Sequence, residues 1–337
     1  MTSKKALITG ISGQDGAYLA KYLLSKDYQV FGIERRTASN ENFRLKYLEI
    51  NDKVNMLRVD LCEFISITKI IQEHRFDEIY NLAAQSFVGS SWDNPISTSN
   101  INSIAVTNIL DSIYRFSPET KFYQASTSEM FGEIKEERQS EDTPFHPRSP
   151  YGVSKLYAHW MTQNYRESYN LFCCSGILFN HESPLRGSEF VTKKITSTLC
   201  AQSKGHDRVL KLGNIDAKRD WGFAGDYIEA MYMMLQSDEP QDFVIGTGIT
   251  HSVRDFCNMC LEELKIDYIW KGSGLDEKCI KKDDNKVIIE ISEEFFRPAE
   301  VDILLANPAK AIKVLGWKAK TDLRALVKMM IEYDLSK

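Results

Sequence analysis

The stretch KALITGISGQDGAYLAKYLL, residues 5–24, decides the fold of this 337-residue chain. Its strand-like start is followed by Gly10, Gly13 and Gly16 in a GxxGxxG motif, after which apolar residues recur at helical spacing. Glycines here permit a tight turn and bring the helix N-terminus close to a pyrophosphate, whose charge the exposed amides favour. The triplet alone is weak evidence, because plain strand-to-helix turns also use glycine. Asp60 after a third strand-like run and NLAAQS (residues 81–86) after a fourth supply the context of a dinucleotide site.

Alternating strand-like and helical runs predict an α/β fold with a Rossmann-like doubly wound parallel sheet. The strand-like runs are KALITG, YQVFGIE, VNMLRVD, FDEIYNLAA, KFYQAST and LFCCSGILFN. We expect a dinucleotide-binding domain over residues 1–180 and a smaller, mainly substrate-binding C-terminal lobe over 181–337. The run DYIEAMYMMLQ is expected to return a helix to the first core, with its methionines packed inside.

Charge and composition limit the classes of partner. The net charge is −5 with the two signs interspersed, which gives little support for nucleic-acid or membrane binding. The start lacks an apolar signal core and no run of about eighteen apolar residues follows, so a cytoplasmic protein is expected. The seven cysteines are interpreted as reduced, structural thiols. Neither CNMC (residues 257–260) nor the histidines show metal-ligand spacing, and no metal is predicted.

Four residues predict the chemistry. Tyr151 and Lys155, in SPYGVSK, lie one helical turn apart, so the ammonium is expected to favour the phenolate. Upstream, ASTSEMFG carries Thr127 and Glu129. Chance spacing, a buried strand end at Thr127 or a capping role for Glu129 could explain each residue singly. Their joint position at predicted strand ends favours a catalytic set in which Tyr151 oxidises an alcohol and Glu129 removes a neighbouring proton.

The second strand ends in FGIERRT, which gives a mixed signal about the cofactor. Glu34 stands where an acid can bind the ribose diol of NAD, whereas Arg35 and Arg36 could pair with the extra phosphate of NADP. We favour NADP and leave NAD possible because of Glu34. Arginines in loops are often only solvated, which weakens the preference.

The chain resembles the GDP-mannose 4,6-dehydratases, a family of extended short-chain dehydrogenase/reductases. The resemblance rests on TGISGQDGAYLA, LAAQSFVGSSW, ASTSEMFG, SPYGVSKLYAHW, GILFNHESPLRG, KRDWGFAGDY and FFRPAEVD, and runs from about residue 5 to 317. It implies the catalytic residues Thr127, Glu129, Tyr151 and Lys155. It implies that the cofactor contacts are among Gly10, Gly13, Gln14, Asp15, Gly16, Arg35, Arg36, Asp60, Leu61, Leu82, Ala83, Ala84, Ser86, Tyr151, Lys155, His181 and Arg186, to which the strand argument adds Glu34. For a GDP-sugar it implies Ser86, Asn180, Lys194, Asn214, Arg219, Arg297 and Glu300.

The same resemblance implies a reaction and an assembly. GDP-mannose, or an analogue such as GDP-manno-heptose, would become a GDP-4-keto-6-deoxy sugar by hydride transfer from C4 to C6 with loss of water. A homo-oligomer is expected: the family implies a tetramer, and a dimer is the alternative. The segment after Arg35 and Arg36 would help to pair the subunits. A nucleotide-sugar 4-epimerase or 4-dehydrogenase of the same fold is the main alternative, and a non-catalytic NADP-sensing protein is a remote one. Glu129 favours the dehydratase, because oxidation alone needs no base at C5.

Overall fold

The computed structural model describes residues 3–35, 42–134, 136–295 and 303–337. Its strands, in chain order, are β1 (Lys5–Thr9), β2 (Gln29–Glu34), β3 (Asn55–Arg58), β4 (Glu78–Asn81), β5 (Lys121–Thr127), β6 (Cys173–Leu178), β7 (Asn180–Glu182), β8 (Leu210–Leu212), β9 (Lys218–Arg219), β10 (Trp221–Phe223), β11 (Phe243–Ile245), β12 (His251–Ser252), β13 (Tyr268–Lys271), β14 (Lys278–Lys281), β15 (Val287–Ile291) and β16 (Ile303–Leu304). The six strand-like runs of the sequence are β1 to β6, as predicted.

Helices connect these strands. Their bounds are α1 (Gln14–Leu24), α2 (Phe43–Tyr47), α3 (Phe64–His74), α4 (Ser90–Asp93), α5 (Pro95–Ser99), α6 (Ala105–Phe116), α7 (Pro150–Tyr169), α8 (Val191–Ser203), α9 (Ala224–Gln236), α10 (Val253–Glu263) and α11 (Leu323–Leu335). Short 3₁₀ turns occur at Asn51–Lys53, Ser128–Met130, Gly274–Asp276 and Glu293–Phe295, and π-helical turns at Asn100–Ile104 and Ala311–Leu315. In the described ranges, no helix is both long and apolar enough to cross a bilayer.

Seven of the described strands form a parallel sheet in the order β11-β6-β5-β4-β1-β2-β3. Helices cover both faces, and this explains why β4 and β6 are buried along their whole length. Alternate residues of β1 serve the two cores, since Ala6 and Ile8 join the α1 and α9 side while Leu7 joins the α3, α6 and α7 side. The predicted doubly wound fold is confirmed.

Residues after 180 contribute to both halves of the molecule. Helix α9 is the predicted returning helix, and its Met231 and Met234 are fully buried in the first core. A separate core joins α8, α10 and α11 to the four-stranded sheet β13-β14-β15-β8. We retain a division near residue 180 as a proposal, with β11 and α9 crossing back to the large sheet. All seven cysteines are described as free thiols, and only Cys62 among them is exposed.

Candidate active site

One continuous cavity of about 1250 Å³ runs along the carboxyl ends of the parallel strands and reaches the C-terminal lobe. A pocket for one drug-sized ligand is usually about 300–1000 Å³, so this volume favours two ligands. The described residues of the predicted site all line it, namely Gly10, Gly13, Gln14, Asp15, Gly16, Glu34, Arg35, Asp60, Leu61, Leu82, Ala83, Ala84, Ser86, Thr127, Glu129, Tyr151, Lys155, Asn180, His181, Arg186, Lys194, Asn214 and Arg219. Arg36, Arg297 and Glu300, together with part of the predicted subunit-pairing segment, lie outside the described residues.

The glycine turn between β1 and α1 forms one end of the cavity. Gly10 has a φ of +68°, which favours glycine, and the amide of Gly13 donates to Gly10 O at 2.9 Å. A Cβ at Gly16 would lie 2.3 Å from Gly10 O, so only glycine allows the helix to start so close to the turn. Gly13 caps α1 without a side chain, which leaves the first amides of the helix on the cavity side.

A polar network joins this turn to the segment after β6. His181 Nε2 lies 2.8 Å from Asp15 Oδ2 and its Nδ1 lies 2.8 Å from Phe179 O, and because both partners are acceptors the ring carries two protons. Burial opposes charge on both groups, but the charge and hydrogen bond of His181 lower the pKa of Asp15 to about 2, and Asp15 raises the pKa of His181. Gln14 Nε2 donates to His181 O at 3.2 Å, and Ser183 Oγ donates to Gln14 Oε1 at 2.7 Å. The network therefore fixes a cation beside the glycine turn.

Thr127 and Glu129 are set by the end of β5. Thr127 is the last residue of that strand, and its hydroxyl accepts from the amide of Glu129 at 3.3 Å, capping the short 3₁₀ turn. Tyr151 lies in the first turn of α7, where Ser149 caps the helix by accepting from Gly152 N at 3.0 Å. A Cβ on Gly152 would lie 2.8 Å from Glu129 O, so this glycine lets α7 approach the turn that carries Glu129.

The environment of Tyr151 acts on its pKa in two directions. Burial raises the pKa of Tyr151 to about 12, although a hydrogen bond with Thr127 acts to lower it. Lys155 donates from Nζ to Ala125 O at 2.9 Å, and burial lowers its own pKa to about 8. The expectation that Lys155 holds down the pKa of Tyr151 stays a prediction: burial dominates the pKa of the phenol, and the ammonium donates to a backbone carbonyl.

Asn102 is a site-supporting residue that the sequence argument missed. It lies in the π-helical turn before α6, accepts from Gln85 N at 2.9 Å and donates to Gln85 O at 3.1 Å. It also donates to Ser154 Oγ at 3.1 Å, which in turn donates to Tyr151 O at 2.7 Å. The loop after β4 and the helix of Tyr151 are thus held together by one buried amide. No local motif in the sequence marks this asparagine, because Gln85 and Ser154 lie 17 and 52 positions away from it.

Arg44 was also missed. On α2, it donates to Ser12 O at 3.0 Å and to Leu185 O at 2.8 Å, and it lines the cavity beside the glycine turn. Burial lowers the pKa of Arg44. No local motif marks this arginine, because its partners lie far away in the sequence.

The residues predicted for a GDP-sugar lie toward the C-terminal lobe. Asn180 Oδ1 is buried and has no hydrogen-bond partner among the described residues. Lys194 donates to Lys211 O at 2.7 Å, and Arg219 is buried with Nη1 donating to Lys218 O at 2.9 Å. Asn214 caps a local turn by accepting from Asp216 N at 3.0 Å. An unpartnered acceptor and two cations can bind a ligand that has hydroxyl donors and phosphate acceptors.

At the opposite end, Glu34 and Arg35 line the cavity beside Asp60. Glu34 Oε1 lies 3.7 Å from Arg58 Nε, and Asn42 Nδ2 donates to Glu34 Oε2 at 3.4 Å. These contacts partly balance the negative charge of Glu34. Among the described residues, no group of three or more His, Cys, Asp or Glu side chains is arranged to hold a metal ion.

Comparison with known proteins identifies the family. The family model described as GDP-mannose 4,6 dehydratase matches residues 7–330. A GDP-mannose 4,6-dehydratase of Vibrio cholerae serotype O1 is 46% identical and the match covers 99% of this chain and 94% of that protein. A GDP-mannose 4,6 dehydratase of Dictyostelium discoideum is 46% identical, over 98% and 96% of the two chains.

Solved structures share the fold at lower identity. The dTDP-glucose 4,6-dehydratase of Bacillus anthracis, solved in complex with NAD, superposes with a TM-score of 0.82 at 19% identity, covering 98% of this chain and 96% of that chain. At this identity the likeness concerns the fold alone. The family match extends over the strands, the glycine turn and the Thr127 to Lys155 site together, and the chain belongs to the GDP-mannose 4,6-dehydratase family.

Proposed function

We propose that this protein is a GDP-mannose 4,6-dehydratase, a hydro-lyase that converts GDP-mannose to GDP-4-keto-6-deoxymannose and water. The observation that carries the proposal is the single cavity that joins the glycine turn, the Thr127, Glu129, Tyr151 and Lys155 set and the C-terminal lobe. Membership of the family, shown over nearly the whole chain, gives the substrate class.

The cofactor that fits this cavity is a nicotinamide dinucleotide. A Cβ at Gly10 or Gly16 would collide with neighbouring backbone, so these glycines allow the tight turn before α1. The open amides of α1 and the cation of His181 beside the turn suit a pyrophosphate. Leu61, Leu82, Ala83 and Ala84 supply apolar contact beside it. We infer NADP as the preferred form, because Arg35 lines the site and the charge of Glu34 is partly balanced by Arg58.

The four catalytic residues have separate roles in this proposal. When bound, the nicotinamide supplies a reversible hydride acceptor that stores the C4 hydride until it returns to C6. Tyr151 accepts the proton of the sugar O4 hydroxyl, and the Thr127 hydroxyl hydrogen-bonds at the same oxygen. Lys155 places a positive charge in the buried site at neutral pH. When its ammonium turns from Ala125 O toward the phenol, this charge opposes the rise that burial causes in the pKa of Tyr151.

Glu129 makes the reaction a dehydration. A ketone at C4 makes the C5 proton acidic, and the Glu129 carboxylate accepts that proton and passes it to the C6 hydroxyl, which leaves as water. The proton that Tyr151 took from O4 then returns to C5 as hydride adds at C6. Glu129 is half-buried next to Tyr151, whose pKa its charge acts to raise, so the acid and the phenol face the same region of the cavity. Oxidation at C4 followed by elimination uses all four residues.

Glu129→Gln tests this role. The variant should bind NADP within about 2-fold of wild type, yet form the 4-keto-6-deoxy product roughly 100-fold to 10,000-fold more slowly, because general base catalysis contributes that much. The matched control is Glu133→Gln, which removes an exposed carboxylate four residues away. Mass spectrometry of the product reports the loss of water. A wild-type rate in the variant refutes the role of Glu129, and a wild-type product that keeps its C6 oxygen indicates an epimerase or a 4-dehydrogenase instead.

We also propose a homo-oligomer built on one helical face. Val153, Tyr157 and Trp160 are exposed on the same side of α7, at the spacing of one helix face. Ile104, at the end of the π-helical turn before α6, and Tyr114 on α6 are also exposed. Thr107 Oγ1 of α6 lies 3.2 Å from Tyr157 OH of α7. Exposed apolar side chains on two packed helices favour pairing with a second copy.

A further inference from the structure

The cavity ends in the C-terminal lobe at a wall that carries residues outside the predicted site. Arg208, Glu294 and Phe295 line this end together with Lys194 of α8 and Leu212 of β8. This wall lies beside α8 and the four-stranded sheet, whereas Tyr151 lies on α7 and Glu129 in the turn after β5 of the parallel sheet. The reacting sugar and the base are opposite ends of a GDP-sugar. With the sugar at Tyr151, the base therefore reaches the wall that carries Arg208.

The backbone of Arg208 is held in place at this wall. Gln202 Nε2, at the end of α8, donates to Arg208 O at 2.5 Å and to Ile288 O of β15 at 2.9 Å. One amide group thus fixes the chain just before β8 against two neighbouring elements. Arg208 is exposed to solvent and lines the cavity, so a ligand in the cavity can reach this residue.

The charges around Arg208 favour a ligand with acceptors. Burial lowers the pKa of Lys194, Glu294 opposes that change, and Arg208 adds to it, which means that the two cations lie close enough to repel. Lys194 is already engaged, because its Nζ donates to Lys211 O and lies 3.4 Å from the centre of the Phe295 ring. Arg208 therefore adds a second cation to this wall beside Lys194, and Glu294 supplies an acceptor there.

We infer that Arg208 is a further substrate-binding residue that recognises the O6 and N7 acceptor edge of guanine, with Glu294 available to the N1 and N2 donors. The inference rests on the proposed function for its substrate class. A guanidinium fork matches two neighbouring acceptors, and guanine is the base that offers them at this edge. Adenine places an amino donor there, and uracil lacks N7.

Nucleotide binding tests the inference without turnover. Isothermal titration calorimetry of the NADP-loaded protein with GDP, ADP and UDP should show that Arg208→Ala weakens GDP roughly 10-fold, near the low end for a bidentate base contact because the guanidinium is exposed. ADP and UDP should change by less than about 2-fold. With GDP-mannose, KM should rise by about the same factor while kcat is retained.

Lys211→Ala is the matched control, because Lys211 is exposed on the other face of β8 and pairs with Glu290 at 3.3 Å. If Arg208→Ala weakens the binding of GDP, ADP and UDP equally, Arg208 contacts the diphosphate. If it weakens the binding of none of them, the arginine is only solvated. Either result overturns the inference. If the wild type has no dehydratase activity but Arg208→Ala selectively weakens GDP binding, the proposed function is overturned. The inference about guanine then still stands.

Discussion

The buried Lys155 is expected to lower the free energy of unfolding of this protein. Its side chain is 4% exposed, and burial lowers the pKa from 10.5 to about 8, which disfavours the ammonium in the folded state. At about 1.4 kcal/mol per pKa unit, the penalty at pH 7 is about 3 kcal/mol. Replacing Lys155 with Met removes this penalty and loses the hydrogen bond to Ala125 O, a charged contact that contributes about 1.5–3 kcal/mol.

The backbone around Lys155 tolerates the change. Ala125 O also accepts from Gln124 Nε2 at 3.0 Å, so the carbonyl keeps one partner in the variant. Methionine has a similar length and suits a buried position. We expect Lys155→Met to be about 1 kcal/mol more stable than wild type at pH 7 and inactive as a dehydratase. Urea unfolding followed by circular dichroism measures the difference in the free energy of unfolding.

The pH dependence of the stability difference between Lys155→Met and wild type gives a sharper test. It follows from the pKa of Lys155 and does not require the strength of the hydrogen bond to Ala125 O. The unfolded lysine binds a proton up to about pH 10.5, whereas the folded one releases it near pH 8. The unfolded state therefore binds more protons between these values, and wild type gains stability as the pH rises through this window. From pH 7 to 9.5 the advantage of Lys155→Met should fall by about 2 kcal/mol.

An exposed lysine provides the control for this experiment. Lys69 on α3 is 71% exposed, and Lys69→Met should change the free energy of unfolding by less than about 0.5 kcal/mol at either pH. A constant difference between Lys155→Met and wild type from pH 7 to 9.5 would refute the reasoning, since it would show that burial does not shift the pKa of this lysine.

Two further predictions concern the ion pair and the helical face. Asp15→Asn should lose about 2 kcal/mol of stability at pH 7, because His181 lowers the pKa of Asp15 from 3.8 to about 2. Most of this difference should disappear as the pH falls from 4 to 2, where the unfolded carboxyl is protonated and the folded one is about half protonated. Urea unfolding measures it against Asp207→Asn, whose carboxylate is 89% exposed, and an equal loss at pH 2 contradicts it. Trp160→Glu should reduce the oligomer in sedimentation velocity, since Trp160 is 46% exposed on the apolar face of α7. Wild type sedimenting as a 38.7 kDa monomer contradicts that proposal.

Much of the site could be predicted because its signals are local. The GxxGxxG motif constrains a turn within seven residues, and the four-residue spacing of Tyr151 and Lys155 puts both on one face of α7. The strand runs are recognisable because strands of a doubly covered parallel sheet are apolar along their length. Asn102 and Arg208 could not be found in this way, because their partners come from other elements.

The sequence by itself determined the parallel sheet and the glycine turn and led to the proposed catalytic side chains, since each depends on neighbours within a few residues. The tertiary structure alone decided their electrostatics. Spacing puts Lys155 beside Tyr151, but burial of the phenol, which raises its pKa, and the hydrogen bond from Lys155 to Ala125 O appear only in the folded structure. The charge of His181 likewise follows from Asp15, 166 positions away. Desolvation and long-range contacts set a pKa, and neither exists until the chain has folded.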